Sequence, residues 1–139
     1  MNQSTRDYIR QWLNKANEDL LVVQKLTESN ILAPSSACFH CQQAVEKSLK
    51  AFLIAHKIEI KKTHNIEFLL SECKDIDEEF RQIDPKDLNE FSVEIRYPGD
   101  SYDPSNDEVL EYKAIAYKIK QLVEEKLSKI EAGERDIYV

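Results

Sequence analysis

The chain has 139 residues and a formal net charge of −7 at pH 7, and a chain of this size suits one domain with a substantial hydrophobic core. Only two Gly and four Pro, with 32% charged residues, favour long helices over sheet. The negative net charge argues against nucleic-acid binding over the whole protein surface, so any nucleotide or RNA site must be local. We expect a single all-α domain over residues 1–139.

The chain shows no sign of export or membrane insertion. Its first residues lack the apolar run of a signal peptide, and no stretch approaches the ~18 apolar residues of a membrane span. Three cysteines are an odd number, which fits reduced thiols. We therefore expect a cytoplasmic protein that does not contact a membrane.

The first predicted helix is capped by Ser4 or Thr5 and runs to about Glu28. Apolar residues recur along it at helical spacing: Ile9, Trp12, Leu13, Ala16, Leu20 and Val23. A short polar break follows, and Pro34 with two serines begins the next helix. Because the connection is short, we expect these two helices to be antiparallel neighbours.

The central predicted helix, residues 34–57, organises the rest of the chain. Small residues form one stripe along it: Ala37, Cys41, Ala44, Ser48, Ala51 and Ala55. Larger apolar residues lie beside that stripe: Cys38, Val45, Leu49 and Phe52. Since small side chains let a neighbouring helix approach closely, this helix is expected in the middle of a bundle.

The opposite face of the central helix mixes two kinds of side chain. Its polar residues are His40, Gln43, Glu46, Lys47 and Lys50, and its apolar residues are Phe39, Leu53 and Ile54. A solvated face does not need the apolar residues, so we interpret it as a second contact surface or a site. Glu46 and Lys50 are four positions apart, which favours a surface ion pair; the alternative is a groove for a phosphate-bearing ligand or a partner helix.

Three more helices are predicted after a basic turn region. Thr63 or Asn65 caps a third helix, residues 66–74, and places His64 at its start. Asp84 and Pro85 begin a short fourth helix that ends at Arg96-Tyr97-Pro98-Gly99. Ser105 and Glu108 form a capping box for the last helix. The predicted fold is therefore an all-α, up-and-down four-helix bundle with an additional short helix.

Cys38 and Cys41 form a C-x-x-C pair, a spacing used by redox dithiols and zinc sites. No strand precedes the first cysteine and no second close pair of ligands exists, so neither use is favoured. Both cysteines lie on the apolar arc of the central helix. We interpret them as buried core thiols and expect neither a metal nor a cofactor.

Two residues outside the central helix are candidates for binding. His64 has no adjacent nucleophile, which favours hydrogen bonding at a helix start over catalysis. Arg96 is poorly explained by core packing, and its guanidinium suits a carboxylate or a phosphate. A salt bridge from Arg96 to an acidic residue such as Glu46 is the simpler alternative.

The order and spacing of three motifs resemble those of HEPN domains: F-H-C-Q-Q-A-V-E-K-S-L-K-A-F-L at residues 39–53, T-H-N-I at residues 63–66 and R-Y-P at residues 96–98. The resemblance implies a bundle of about five helices, usually a homodimer, in bacteria and archaea. Such proteins are often encoded beside a small nucleotidyltransferase as a toxin–antitoxin pair. Many members of the superfamily are metal-independent ribonucleases.

The ribonuclease motif that the resemblance brings with it is incomplete in this chain. It requires an arginine, then four to six residues, then a histidine. Arg96 matches the arginine, but Ser101, Tyr102 and Asp103 occupy the possible histidine positions. Without an imidazole there, no obvious group moves the proton of a 2′-hydroxyl. Partner-catalysed nucleotidylation in related systems raises Tyr97 or Tyr102 as modification sites.

Three functions remain open at the level of sequence. The first is a non-catalytic partner of a small nucleotidyltransferase, a homodimer that also binds nucleotide or RNA. The second is a divergent metal-independent ribonuclease toxin that uses Arg96 and His64. The third is a scaffold used only for dimerisation. The candidate residues for ligand or partner binding are Gln43, Glu46, Lys47, Lys50, His64, Arg96 and Tyr97, and no catalytic or metal residue is assigned.

Overall fold

A computed structural model describes residues 1–94, 97–99 and 103–137, with side chains described as far as residue 134. Four α-helices lie in these ranges: α1 (Gln3–Thr27), α2 (Pro34–Ala55), α3 (Ile66–Ile76) and α4 (Asn106–Ile137). Two short 3₁₀ helices, Glu78–Gln82 and Leu88–Phe91, lie between α3 and α4. The described residues contain no strand, and the predicted all-α bundle with an additional short helix is confirmed.

Helix α2 lies at the centre of the bundle, as its small-residue stripe predicts. It packs against α1, α3, α4 and the second 3₁₀ helix, and none of its residues is exposed. Ala44 and Ala51 are completely buried. The hydroxyl of Ser48, also buried, donates a hydrogen bond of 2.7 Å to the carbonyl of Ala44. The one polar group of the stripe is thereby satisfied within its own helix.

Helices α1 and α2 run in opposite directions. Asp19 of α1 contacts Lys47, whereas Trp12, earlier in α1, contacts Lys50, later in α2. The predicted antiparallel pairing is therefore present. The cap of α1 differs from the expected Ser4 or Thr5, because the side chain of Asn2 accepts the backbone N–H of Thr5 at 2.8 Å.

The starts of α3 and α4 agree with their predicted caps. Asn65 accepts the backbone N–H of Phe68 through its side chain at 3.0 Å. Ser105 and Glu108 form a reciprocal capping box: the Ser105 N–H donates to Oε1 of Glu108 at 3.0 Å, and the Glu108 N–H donates to Oγ of Ser105 at 3.2 Å. These caps satisfy backbone N–H groups that a helix leaves unpaired at its first turn.

The predicted short fourth helix is present only as a single 3₁₀ turn, Leu88–Phe91. Asp84 accepts the backbone N–H of Lys86 at 2.9 Å, and Lys86 has a left-handed φ of 50°. A left-handed residue at this point prevents Pro85 from starting an α-helix. Leu88 and Phe91 are nevertheless fully buried against the core, as their spacing predicts.

The three cysteines are buried and form no disulfide, which agrees with their interpretation as core thiols. Burial raises the pKa of Cys41, and the nearby Cys38 raises it further. Burial likewise raises the pKa of Cys73. Thiols held in the neutral form are poor nucleophiles and poor metal ligands, so their contribution is packing.

Helix α4 is the longest helix and carries charged side chains along its length. Within residues 1–94, 97–99 and 103–137, no helix combines the length and the apolar character that a membrane crossing requires.

Candidate functional site

Glu46 is the centre of a polar cluster between α2 and the turn region that precedes α3. Its side chain is only 5% exposed. Oε1 lies 2.8 Å from Nδ1 of His64, and Oε2 accepts a hydrogen bond of 3.2 Å from Nζ of Lys50. An ionised carboxylate only accepts hydrogen bonds, so Nδ1 of His64 is the donor of this pair. The other ring nitrogen, Nε2, is left for an outside partner.

The backbone of His64 is held by a second residue of α2. Gln42 is completely buried, and its Nε2 donates to the carbonyl of His64 at 2.8 Å. Gln43 in turn donates from its Nε2 to Oε1 of Gln42 at 2.7 Å. Both the ring and the main chain of His64 are therefore fixed from α2, although the histidine side chain is 71% exposed.

The ion pair between Glu46 and Lys50 forms, but it is not the surface pair that its spacing favours. The Lys50 side chain is only 7% exposed, and its ammonium lies 5.4 Å from the centre of the Trp12 ring. Helix α1 contributes that ring and covers this part of α2. A buried ammonium needs such partners, because removing it from water costs several kcal/mol.

Lys47 belongs to a separate cluster around Asp19 of α1. Its Nζ lies 2.6 Å from Oδ2 of Asp19, and Nδ1 of His40 lies 2.8 Å from Oδ1 of the same carboxylate. The Asp19 side chain is 9% exposed. Lys47 and Lys50 are thus held by two different carboxylates, each of which also contacts one histidine.

The sequence reasoning missed Asp19 as a partner of the mixed face. A signal was available, since Asp19 is three positions after Ala16 and four before Val23 and so lies on the apolar stripe of α1. A carboxylate on a buried stripe requires a cation or several donors. Lys47 supplies the cation.

The remaining two candidates, Arg96 and Tyr97, follow the second 3₁₀ helix in the sequence. Tyr97 has a 68% exposed side chain, together with a contact of its own. Arg96 lies outside the described residues, as do Ile95 and Tyr102. The expectation that the Arg96 guanidinium binds a carboxylate or a phosphate therefore stays a prediction.

The described residues contain no cluster of three or more His, Cys, Asp or Glu that could hold a metal ion. A cleft of about 310 Å³ lies elsewhere, between α1 and α4, and includes Arg10, Leu13 and Lys120 in its lining. None of the sequence-predicted site residues lines that cleft. The candidate site is accordingly a surface face centred on His64.

The sequence model of the HEPN domain matches residues 9–126 of this chain. The chain belongs to the HEPN domain family. Searches of curated proteins and of solved structures give no significant match. As a HEPN domain, the protein has a role connected with nucleotides or RNA.

Two of the motifs that carry the HEPN resemblance are in direct contact. The Q-Q-A-V-E-K block of α2 supplies Gln42 and Glu46, and the T-H-N-I block supplies His64. The hydrogen bonds join residues 18 and 22 positions apart. The side chains of one motif thus orient the histidine of the other.

Proposed function

We propose that this HEPN domain protein is a non-catalytic binding subunit. It docks a small nucleotidyltransferase encoded nearby, as one half of a toxin–antitoxin-like pair in a prokaryotic cytoplasm, and binds a nucleotide or RNA phosphate at the face around His64. The observation that carries this proposal is the fixed orientation of the His64 ring, whose Nδ1 is engaged by Glu46 while the ring stays exposed.

The absence of the ribonuclease histidine supports a binding role over a catalytic one. Ser101, Tyr102 and Asp103 stand where the motif that begins at Arg96 needs an imidazole. Binding requires only that charges and hydrogen-bonding groups be positioned, whereas RNA cleavage also requires a group that moves a proton. The protein acts as a homodimer in this proposal, and Tyr97 provides an exposed aromatic side chain for docking the partner.

The structure changes which residues of the proposed site can contact a ligand directly. Lys50 is buried against Glu46 and Trp12, and Lys47 is engaged by Asp19. We assign Glu46, Lys50 and Gln43 to supporting His64. Direct contact falls to His64 and, by its sequence context, to Arg96.

The experiment is co-expression of this chain with the adjacent nucleotidyltransferase, followed by affinity purification and light scattering. A stable complex with two copies of the HEPN chain is expected. The variant His64→Ala should weaken nucleotide binding in calorimetry, while Gln24→Ala, at an exposed position of α1, should leave it unchanged. Absence of both a complex and nucleotide binding would contradict the proposal.

A divergent ribonuclease toxin is the second candidate, and the pairing of His64 with Glu46 favours it. A carboxylate on Nδ1 orients an imidazole and stabilises its protonated form, which is the arrangement of a general base. Arg96 would stabilise the charge of the phosphorane in this candidate. Growth arrest on expression that is lost in both Arg96→Ala and His64→Ala would support it. An unchanged pool of cellular RNA after induction would exclude it.

A further inference from the structure

We infer that the turn region between α2 and α3, residues 56–65, binds single-stranded RNA through Lys57, Lys61 and Lys62. The inference rests on the proposed function, since it names the cations that contact the RNA phosphates at the His64 face. These three lysines replace Lys47 and Lys50, which are already held by carboxylates.

The three lysines are exposed and have no acidic partner among the described residues. All three side chains face solvent, whereas Lys47, Lys50, Lys86 and Lys126 are each held in an ion pair. Glu59 and Glu67 are the exposed acidic residues of the same region. Three lysines against two glutamates leave this region with a local charge of about +1 on a chain whose net charge is −7, and a local basic patch is what phosphate binding requires.

The turn region is fixed to the bundle. The Ile58 N–H donates to the carbonyl of Leu53 at 3.0 Å, and Ile58 and Ile60 pack partly buried against the core. The lysines at 57 and 61 alternate with these isoleucines and therefore face outward. A rigid backbone reduces the ordering cost of binding, because the cations are presented before the ligand arrives.

Lys57 occupies a position that glycine would fill at lower conformational cost. It directly follows the C-cap residue of α2, His56, and has a left-handed φ of 61°. Glycine is the usual residue at this place after a helix. Strained backbone is common at functional sites, so the conformation of Lys57 agrees with a binding role that its exposure and charge suggest.

An aromatic ring accompanies the cations. Phe68, in the first turn of α3, is 37% exposed, and Nζ of Lys61 lies 5.0 Å from the centre of its ring. Aromatic rings beside cations form the stacking platforms of proteins that bind single strands. An acidic peptide would use the lysines but would gain little from the ring, so RNA is favoured over an acidic protein partner.

His64 supplies a means of distinguishing RNA from DNA. Its Nδ1 is engaged by Glu46, so Nε2 is the ring nitrogen left for a ligand. A 2′-hydroxyl, which both donates and accepts hydrogen bonds, is a partner for Nε2 that DNA lacks. The turn region is thus expected to bind RNA more tightly than DNA of the same sequence.

The test is fluorescence anisotropy with a labelled 12-nucleotide RNA of mixed sequence, titrated at several salt concentrations. For three phosphate contacts, the slope of log affinity against log salt should be about −2, since each contact to a single strand contributes about −0.7. The triple variant Lys57→Gln, Lys61→Gln, Lys62→Gln should bind at least about tenfold more weakly at low salt. Phe68→Ala and His64→Ala should each weaken RNA binding, and only His64→Ala should remove the preference over DNA.

The matched control changes the same number of charges elsewhere. The triple variant Lys15→Gln, Lys25→Gln, Lys118→Gln alters three exposed lysines of α1 and α4 and should keep the affinity for RNA. Equal losses in both triple variants, equal binding of a poly-glutamate 12-mer, or no binding of RNA by the intact protein would each overturn the inference. If the variant Lys57→Gln, Lys61→Gln, Lys62→Gln still forms a complex with the nucleotidyltransferase, the proposed function holds independently of this inference.

Discussion

Nδ1 of His64 lies 2.8 Å from Oε1 of Glu46, a side chain of α2 that is almost completely buried. This contact connects an exposed ring to the centre of the bundle. The same carboxylate neutralises Lys50. The structural support of the candidate site and the stability of the fold therefore depend on one side chain.

The variant Glu46→Gln should lower the free energy of unfolding by about 3 kcal/mol, because it leaves the Lys50 ammonium buried without its counter-charge. Urea denaturation at pH 7 measures the change. The double variant Glu46→Gln, Lys50→Met should recover part of the loss, as expected for coupled partners. Glu125→Gln, at an exposed position within α4, serves as the control and should change stability by less than about 0.5 kcal/mol. An equally small effect of Glu46→Gln would show that the Glu46 carboxylate is not needed to balance the buried charge of Lys50.

Overpacking the small-residue stripe of α2 should destabilise the bundle. Ala44 and Ala51 are completely buried, so Ala44→Leu or Ala51→Leu should each cost about 1–3 kcal/mol. Thermal and urea denaturation provide the measurement. Ala114→Leu on the exposed side of α4 is the control and should be close to neutral. If both α2 variants kept full stability, the stripe would not be a close helix crossing.

The variant Lys57→Gly should stabilise the fold. The left-handed φ of 61° costs a lysine about 1–2 kcal/mol. Glycine removes this cost, but the larger entropy of glycine in the unfolded chain offsets part of the gain. The expected increase in the free energy of unfolding is about 0.5–1 kcal/mol. Lys62→Gly is the control and should give no gain, because Lys62 is not left-handed. A loss of stability in Lys57→Gly would contradict the argument from strain.

Asp77 should contribute stability that depends on pH. A hydrogen bond from Lys126 and another from the Glu79 backbone lower the pKa of Asp77. A carboxylate with a lowered folded pKa stabilises the native state above its unfolded pKa of 3.8, and that contribution is lost as the pH falls through the folded value. Asp77→Asn should therefore reduce stability at pH 6, and the difference from the unchanged protein should shrink toward pH 3. Urea midpoints at the two pH values measure it, with exposed Asp75→Asn as the control.

Local patterns were sufficient to predict most of the helices. Pro34 marks the start of α2, Asn65 that of α3 and the capping box at Ser105 that of α4. Each signal acts over a few residues and needs no tertiary contact. The short fourth helix is a single 3₁₀ turn and not an α-helix, because the left-handed conformation of Lys86 overrides the helix-start signal of Pro85.

The arrangement of the candidate site was harder to predict, because it depends on distant segments. Spacing alone pairs Glu46 with Lys50, but only the cover provided by Trp12 from α1 makes the pair buried. Similarly, the acidic partner of Lys47 does not lie on α2; it is Asp19 of the neighbouring helix α1. Residue periodicity identifies faces, whereas burial is decided by what packs on them.

The enclosure of α2 on all sides has a consequence for hydrogen exchange. None of its residues is exposed, so its backbone amides can meet solvent deuterium only when neighbouring helices separate. The exchange rates of residues 38–53 should therefore converge on one value set by global opening. The amides of α2 should therefore exchange last. This is the helix whose Gln42 and Glu46 hold His64 at the surface.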